Sequence, residues 1–233
     1  NENDISNLEY FIIPGIDIKS SIKARDFSLA YPSKSYWSAG LHPHEADRLD
    51  DVKQELLSLM QDADLIGETG LDYYRNLSSK ENQIKNFEFH INIAKDLNKP
   101  LIIHCRDSFS DVFDILSNKK LNNPIILHSW TGGNKWTKKF VELGVYFSIS
   151  GIITYDTAHD LQAAVTKIPT DKLLLETDVP YLAPQPFKGK RNNPTYIKYT
   201  GAKVAELIDL TPNELSKITI TNTNKVMNRE NNE

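Results

Sequence analysis

The sequence predicts an α/β fold on a parallel sheet with helices outside, of the (β/α)8 TIM-barrel type but apparently lacking one strand. Three observations carry this. Short apolar runs alternate along the chain with longer amphipathic ones, the pattern of repeated βα units. Seven apolar runs occur, where a closed barrel of this type needs eight strands. Polar residues suited to metal sit at or just past the ends of four runs, the end where barrel enzymes assemble their sites. An open doubly wound sheet is the alternative architecture.

In order, the predicted strands are "YFIIPGI" (10–16), "YWSAGL" (36–41), "DLIGE" (64–68), "PLIIHC" (100–105), "PIILHS" (124–129), "VYFSIS" (145–150) and "LLLETD" (173–178). Each is short and bounded by polar or turn residues, as buried parallel strands are. After the second, "DDVKQELLSLM" places Val52, Leu56, Leu59 and Met60 on one helical face. In "SSKENQIKNFEFHINIAKDLN", Ile84, Phe87, Ile91 and Ala94 recur at helical spacing, and Ser78 with Glu81 forms a capping-box pattern. Near the end, "TPNEL" offers Thr211 as N-cap, Pro212 at the first helical position and Glu214 three residues past the cap. The Asn-rich stretches 1–7 and 228–233 read as frayed ends.

At 233 residues the chain fits a single barrel domain over 1–233. No apolar run reaches the length that spans a bilayer, and nothing resembles a signal peptide, although the chain begins at Asn1 without a methionine. The lone Cys105 excludes an internal disulfide framework and suits a reducing compartment, so cytoplasm is expected. A net charge of −4 argues against coating nucleic acid by bulk electrostatics. It is compatible with a nuclease that has a local basic lip and metal ions in its site.

The chemistry-bearing residues are Glu68 after "LIG", His104 after "PLII", His128 after "PIIL" and Asp178 after "LLLET". Singly, each has an ordinary reading: a turn, a core histidine, the start of a proline turn. Four in equivalent positions point to a metal site. Carboxylates with imidazoles suit Zn²⁺, Mn²⁺ or Fe²⁺, and a carboxylate-rich half also suits Mg²⁺. The glycines on either side of Glu68 read as room for close approach. Cys105 alternates to the other side of its strand and is assigned to packing.

Around these stand candidate substrate contacts. In "GLHPHE", His42 is placed to touch substrate or a developing charge, while His44 is either engaged or merely solvated. Arg106 is a phosphate binder or pairs with a nearby carboxylate, and Asp107 is a further contact or a helix cap. The basic loop with Lys188, Lys190 and Arg191 forms a phosphate-binding lip or a solvated face. Tyr74 and Trp130 stack bases or cover a helix end. His90 and His159 read as structural, and "TGG" (131–133) as a turn.

The blocks "GLHPHE", "IGETGLDYY", "PLIIHCRD", "ILHSWTG", "YFSISGIIT", "LLLETDVPYLAP" and "GKRNNP" resemble, in order and spacing, those of the TatD-type metal-dependent deoxyribonucleases within the amidohydrolase-like barrels. The likeness runs from about Phe11 to Met227. It implies a (β/α)8 barrel, two divalent metal ions (Mg²⁺, Mn²⁺ or Zn²⁺) and 3′→5′ exonuclease or broader DNase activity. It further implies that Glu68 bridges both ions, that His104 and His128 hold one, and that Asp178 helps to hold the other and orients or deprotonates water. DNA, or RNA, is the partner expected; no membrane or obligate protein partner is implied. Family members open on a strand carrying His-x-His, and none precedes "YFIIPGI". The favoured explanation is that this strand lies upstream of Asn1 in a longer protein; its replacement, or loss of one metal site, are the alternatives. Two other functions compete: an amide, ester or lactone hydrolase, marked by a metal-bridging lysine at a strand end, and a non-catalytic nucleic-acid-binding relative.

Overall fold

A computed structural model describes residues 5–228. The stretches expected to fray therefore lie outside the described residues at 1–4 and 229–233. The chain forms two compact units, one of Tyr10–Leu127 and one of Asn1–Glu9 with His128–Glu233.

The Tyr10–Leu127 unit holds strands β1 (Phe11–Ile13), β2 (Ser35–Ala39), β3 (Leu65–Asp72), β4 (Leu101–Arg106) and β5 (Ile125–Leu127). Helices α1 (Ile18–Ala30), α2 (Leu49–Asp62), α3 (Lys80–Leu97) and α4 (Phe109–Lys119) connect them. Each strand pairs in parallel with the next in chain order, as successive βα units require. The expected face of α2 packs inward through Leu56, Leu59 and Met60. Lys99, just past α3, donates to the carbonyls of Met60, Gln61 and Ala63 at 3.0, 2.6 and 2.5 Å, satisfying the free carbonyl end of α2.

Two local expectations shift. The N-cap of α3 is Ser79, whose side chain accepts from Asn82 N–H. Ser78 is buried instead, and its hydroxyl donates to the carbonyl of His44 at 3.0 Å. The inward face of α3 is also rotated: Phe87, Ile91 and Ala94 are buried as expected, but they share the face with Gln83, Asn86 and His90 rather than with Ile84.

The second unit holds β6 (Tyr146–Ile149) and β7 (Leu173–Leu175), paired in parallel. Helices α5 (Asn134–Glu142), α6 (His159–Val165), α7 (Ile197–Leu207) and α8 (Pro212–Val226) accompany them. The cap read at α8 is present, with Thr211 and Glu214 bonded reciprocally. All seven predicted strands are found, one in each run.

Candidate metal centre

Glu68 lies inside β3, which continues to Asp72, and not at its end. The register against β4 shifts between Ile66 and Thr69, a bulge that interrupts the alternation of side chains. Gly67 and Gly70 make it possible, with φ of 121° and 128°, a region open to glycine. A Cβ on Gly67 would stand 2.5 Å from the Ile102 carbonyl oxygen, and one on Gly70 would collide with the His104 carbonyl. The glycines thus let β3 and β4 approach around the carboxylate.

Glu68 and Asp72 form two anchors for three imidazoles. His104 spans them, with Nδ1 3.1 Å from Glu68 Oε1 and Nε2 3.0 Å from Asp72 Oδ2. His44 Nε2 meets the same Asp72 oxygen at 2.9 Å. Asp72 also accepts the backbone N–H of Arg75 at 2.8 Å through its other oxygen. Burial of this carboxyl works to raise its pKa, but the bonds from His104, Arg75 and His44 together outweigh it and hold Asp72 below the usual carboxylate range. Asp72 is therefore a fixed negative charge that orients two histidine rings.

His42 stands 3.5 Å from Glu68 through Nε2. Burial lowers its pKa, with Glu68 pulling the other way and His104 and His44 adding to the lowering. Its Nδ1 accepts the backbone N–H of His44 at 3.2 Å. A neutral imidazole that accepts at Nδ1 carries its proton on Nε2. His42 thus turns an N–H, not a lone pair, toward Glu68.

A divalent ion fits the donors present. Candidate ligand atoms of His42, Glu68 and His104 all lie within 4.8 Å of one another. Of the three, Glu68 and His104 are the closest pair, and the contact of His104 Nε2 with Asp72 is the usual outer support of a metal-binding histidine, with Nδ1 on the Glu68 side. His42 in its Nε2–H form is a neighbouring donor.

In the second unit, His128 follows β5 directly and Glu176 follows β7. His128 Nδ1 meets the Glu176 carboxylate at 2.9 Å, and Glu176 also accepts Ser129 N–H at 3.1 Å. Asp178 Oδ1 lies 3.8 Å from His128 Nε2, and Asp178 adopts a left-handed backbone with φ 59°. Its loop is tied down by the buried Asn192, whose amide donates to the carbonyls of Thr177 and Tyr181 at 2.6 and 2.7 Å.

The remaining candidates divide. Arg106 is exposed and its guanidinium sits 3.9 Å from the ring centre of Tyr74, itself 61% exposed, so these two form one cation–π surface. Arg191 is exposed and Lys188 lies over Tyr155. Trp130 is interior: it is 1% exposed, packs edge-on to Phe140 and Phe147, and donates Nε1–H to Thr137. A Cβ on Gly132 would collide with the indole, which explains the "TGG" turn. Cys105 is buried as expected, its thiol pushed up to about 12 by burial. Asp107 does not cap α4, where Ser108 stands at the N-cap and bonds to Leu71.

Sequence reading did not single out Asp72, Glu176 or Asn192. Glu176 had a signal, since it follows its strand as His128 follows β5. Asp72 had a weaker one, standing at an even spacing from Glu68 along the strand; the bulge hides its relation to His104.

The TatD-related DNase family model matches residues 2–228. The chain belongs to the TatD-related DNase family, metal-dependent hydrolases of amidohydrolase-like fold. It is 35% identical over 225 residues to an uncharacterized metal-dependent hydrolase of Bacillus subtilis, covering 94% of this chain and 87% of that one. A similarly described protein of Escherichia coli is 38% identical over 188 residues, covering 80% and 71%. Among solved structures, a TatD homologue from Escherichia coli superposes with TM-score 0.88 at 26% identity, covering 94% of this chain and 86% of that one. A TatD-family hydrolase from Entamoeba histolytica gives TM-score 0.85 at 20% identity, covering 98% and 87%, and speaks to fold alone. The expected α/β, TIM-like barrel class is thereby borne out for this TatD-family chain.

Proposed function

We propose that this TatD-family protein hydrolyses phosphodiester bonds of DNA, acting from the 3′ end, with divalent ions held by Glu68, His104, His128 and Asp178. The observation that carries the reading is the part-buried Glu68–His104–Asp72–His44 chain, an arrangement that sets one imidazole beside one carboxylate, a donor pair suited to a cation. Family membership supports the nucleic-acid substrate. Bound divalent ions supply Lewis-acid polarisation of a phosphoryl oxygen and activation of water. The chain's own residues do the rest. His42, whose Nε2–H faces Glu68, stands beside the candidate ligands to touch substrate, Arg106 and, in the other unit, Arg191 offer positive charge to phosphates, and Tyr74 offers its ring to a base. Asp178 accepts a proton from the attacking water as its oxygen bonds to phosphorus, and the departing sugar oxygen takes up a proton as the P–O bond breaks.

The amide or ester alternative calls for a bridging lysine, and no lysine stands in any strand of the described residues. The test is digestion of 5′-labelled single-stranded DNA with Mg²⁺, Mn²⁺ or Zn²⁺, with and without chelator. Stepwise shortening that stops in chelator is expected. Hydrolysis of model esters alone, or tight DNA binding with no cleavage under any metal, would replace the proposal with one of its rivals.

A further inference from the structure

Helix α3 buries three polar side chains where apolar ones would be cheaper. Gln83, Asn86 and His90 are each fully buried, on the face that also carries Phe87, Ile91 and Ala94. A buried amide or imidazole is disfavoured unless its groups find partners. Here nearly all of them go to main-chain groups beside the candidate metal centre. His90 Nε2 accepts the N–H of Leu41 at 3.0 Å, which fixes its proton on Nδ1, bonded to the Asn86 carbonyl at 2.8 Å. Asn86 donates to the carbonyl of Leu41 at 2.7 Å. Both polar atoms of the Leu41 main chain are thus held, one residue before His42. Gln83 does the same for Asp72, accepting its N–H at 2.8 Å and donating to its carbonyl at 3.3 Å.

The spacing explains the arrangement. Positions 83, 86 and 90 lie on one helical face, and a helix is the stiffest ruler available at this length. One rigid element therefore grips the segment bearing His42 and the strand bearing Glu68 and Asp72. Among the described residues Asn86 Oδ1 is buried without a hydrogen-bond partner, while the amide nitrogen of the same side chain keeps its grip on Leu41. Neither the hydrophobic core nor the helix itself requires these side chains.

We propose that Gln83, Asn86 and His90 are positioning residues that set His42 against Glu68 and fix the proton of His42 on Nε2. The metal-ion reading above enters only in naming what is positioned. The experiment is imidazole ¹⁵N–¹H correlation spectroscopy on metal-free protein at neutral pH, comparing wild type, His90→Leu, His90→Gln and Gln83→Met. Wild type is expected to show His42 as a single Nε2–H tautomer. His90→Leu removes the acceptor for Leu41 and is expected to turn that signal into a mixture of tautomers. His90→Gln restores an acceptor and the single tautomer. Gln83→Met, which loosens the Asp72 wall instead, shifts the His44 and His104 signals and serves if His90→Leu does not fold. A single Nε2–H form of His42 in a folded His90→Leu, or unmoved His44 and His104 signals in Gln83→Met, would overturn the proposal. Because no metal and no DNA are present, these outcomes stay separate from failure of the nuclease assay.

Discussion

The two groups of candidate ligands are held in different ways. In the Tyr10–Leu127 unit, Glu68 and Asp72 sit within one strand, and their histidines are wired to them by bonds of 2.9–3.1 Å. In the other unit, His128 and Glu176 stand just beyond short strands, and Asp178 rides on a loop stapled by one asparagine. The first group is fixed by regular structure, so its geometry changes only if the fold changes. The second depends on a few side-chain bonds to a loop. Groups meant to stay put are best built on strands and helices, while loops admit local opening.

The largest effect expected is at the centre of the strand-built group. Glu68→Gln keeps the shape of the side chain and removes its charge, so the unit should still fold, with an unchanged circular-dichroism spectrum. Its Mn²⁺ affinity should fall by more than the roughly 100-fold that outer partners of a metal ligand command. Titration calorimetry reads this directly. A fall of less than about 10-fold would mean that the wired group is not where the metal binds.

A second consequence concerns acid. His90 is wholly buried, and burial lowers its pKa to about 4, with the Asn86 carbonyl opposing the shift. Unfolded, the same ring titrates at about 6.5. Between these values the unfolded chain binds the proton and the folded one does not, so stability falls as pH drops from about 6.5 to about 4 and is unaffected by this group below that. The loss amounts to about 3 kcal/mol. Urea unfolding of metal-free wild type and His90→Gln across that range checks it: the slope should be shallower in the variant. Parallel curves would show that His90 is already charged at pH 6.

Much of this was legible in the sequence, for reasons that differ by residue. The strands announced themselves because each lies in a short apolar run, and most of them are buried on both faces. His104 and His128 were legible because they interrupt or end such runs. Helix α1 was not, because its buried face is Ser21, Ala24 and Ser28, too small and polar to give an apolar period. The polar half of the α3 face escaped for the same reason: Gln83 and Asn86 look like surface residues until their main-chain partners, some 11 and 45 positions away, are known. Trp130 was ambiguous, since a loop aromatic reads alike whether it faces solvent or a partner such as Phe140. Asp72 was hidden by the bulge, a feature of strand pairing that no local pattern carries.

The loop-built group supplies the smallest and most local effect. Asn192→Ala removes both bonds that tie Thr177 and Tyr181 to the segment after them, and leaves the backbone N–H of residue 192 on Pro180 at 3.0 Å. Each lost bond is worth about 1 kcal/mol, and part of that returns because the loop carbonyls regain water. Global unfolding should therefore move by no more than about 2 kcal/mol. The opening of residues 177–181 depends more directly on these two bonds, which tie both ends of the segment. Their hydrogen exchange should accelerate roughly 10-fold, while peptides covering β7 keep their wild-type protection. If exchange in 177–181 is unchanged, Asp178 is held by something other than this staple, and the contrast between a strand-built and a loop-built group loses its basis. If β7 exchanges faster as well, the loop and the strand open together, and Asp178 is then as firmly tied to regular structure as Glu68.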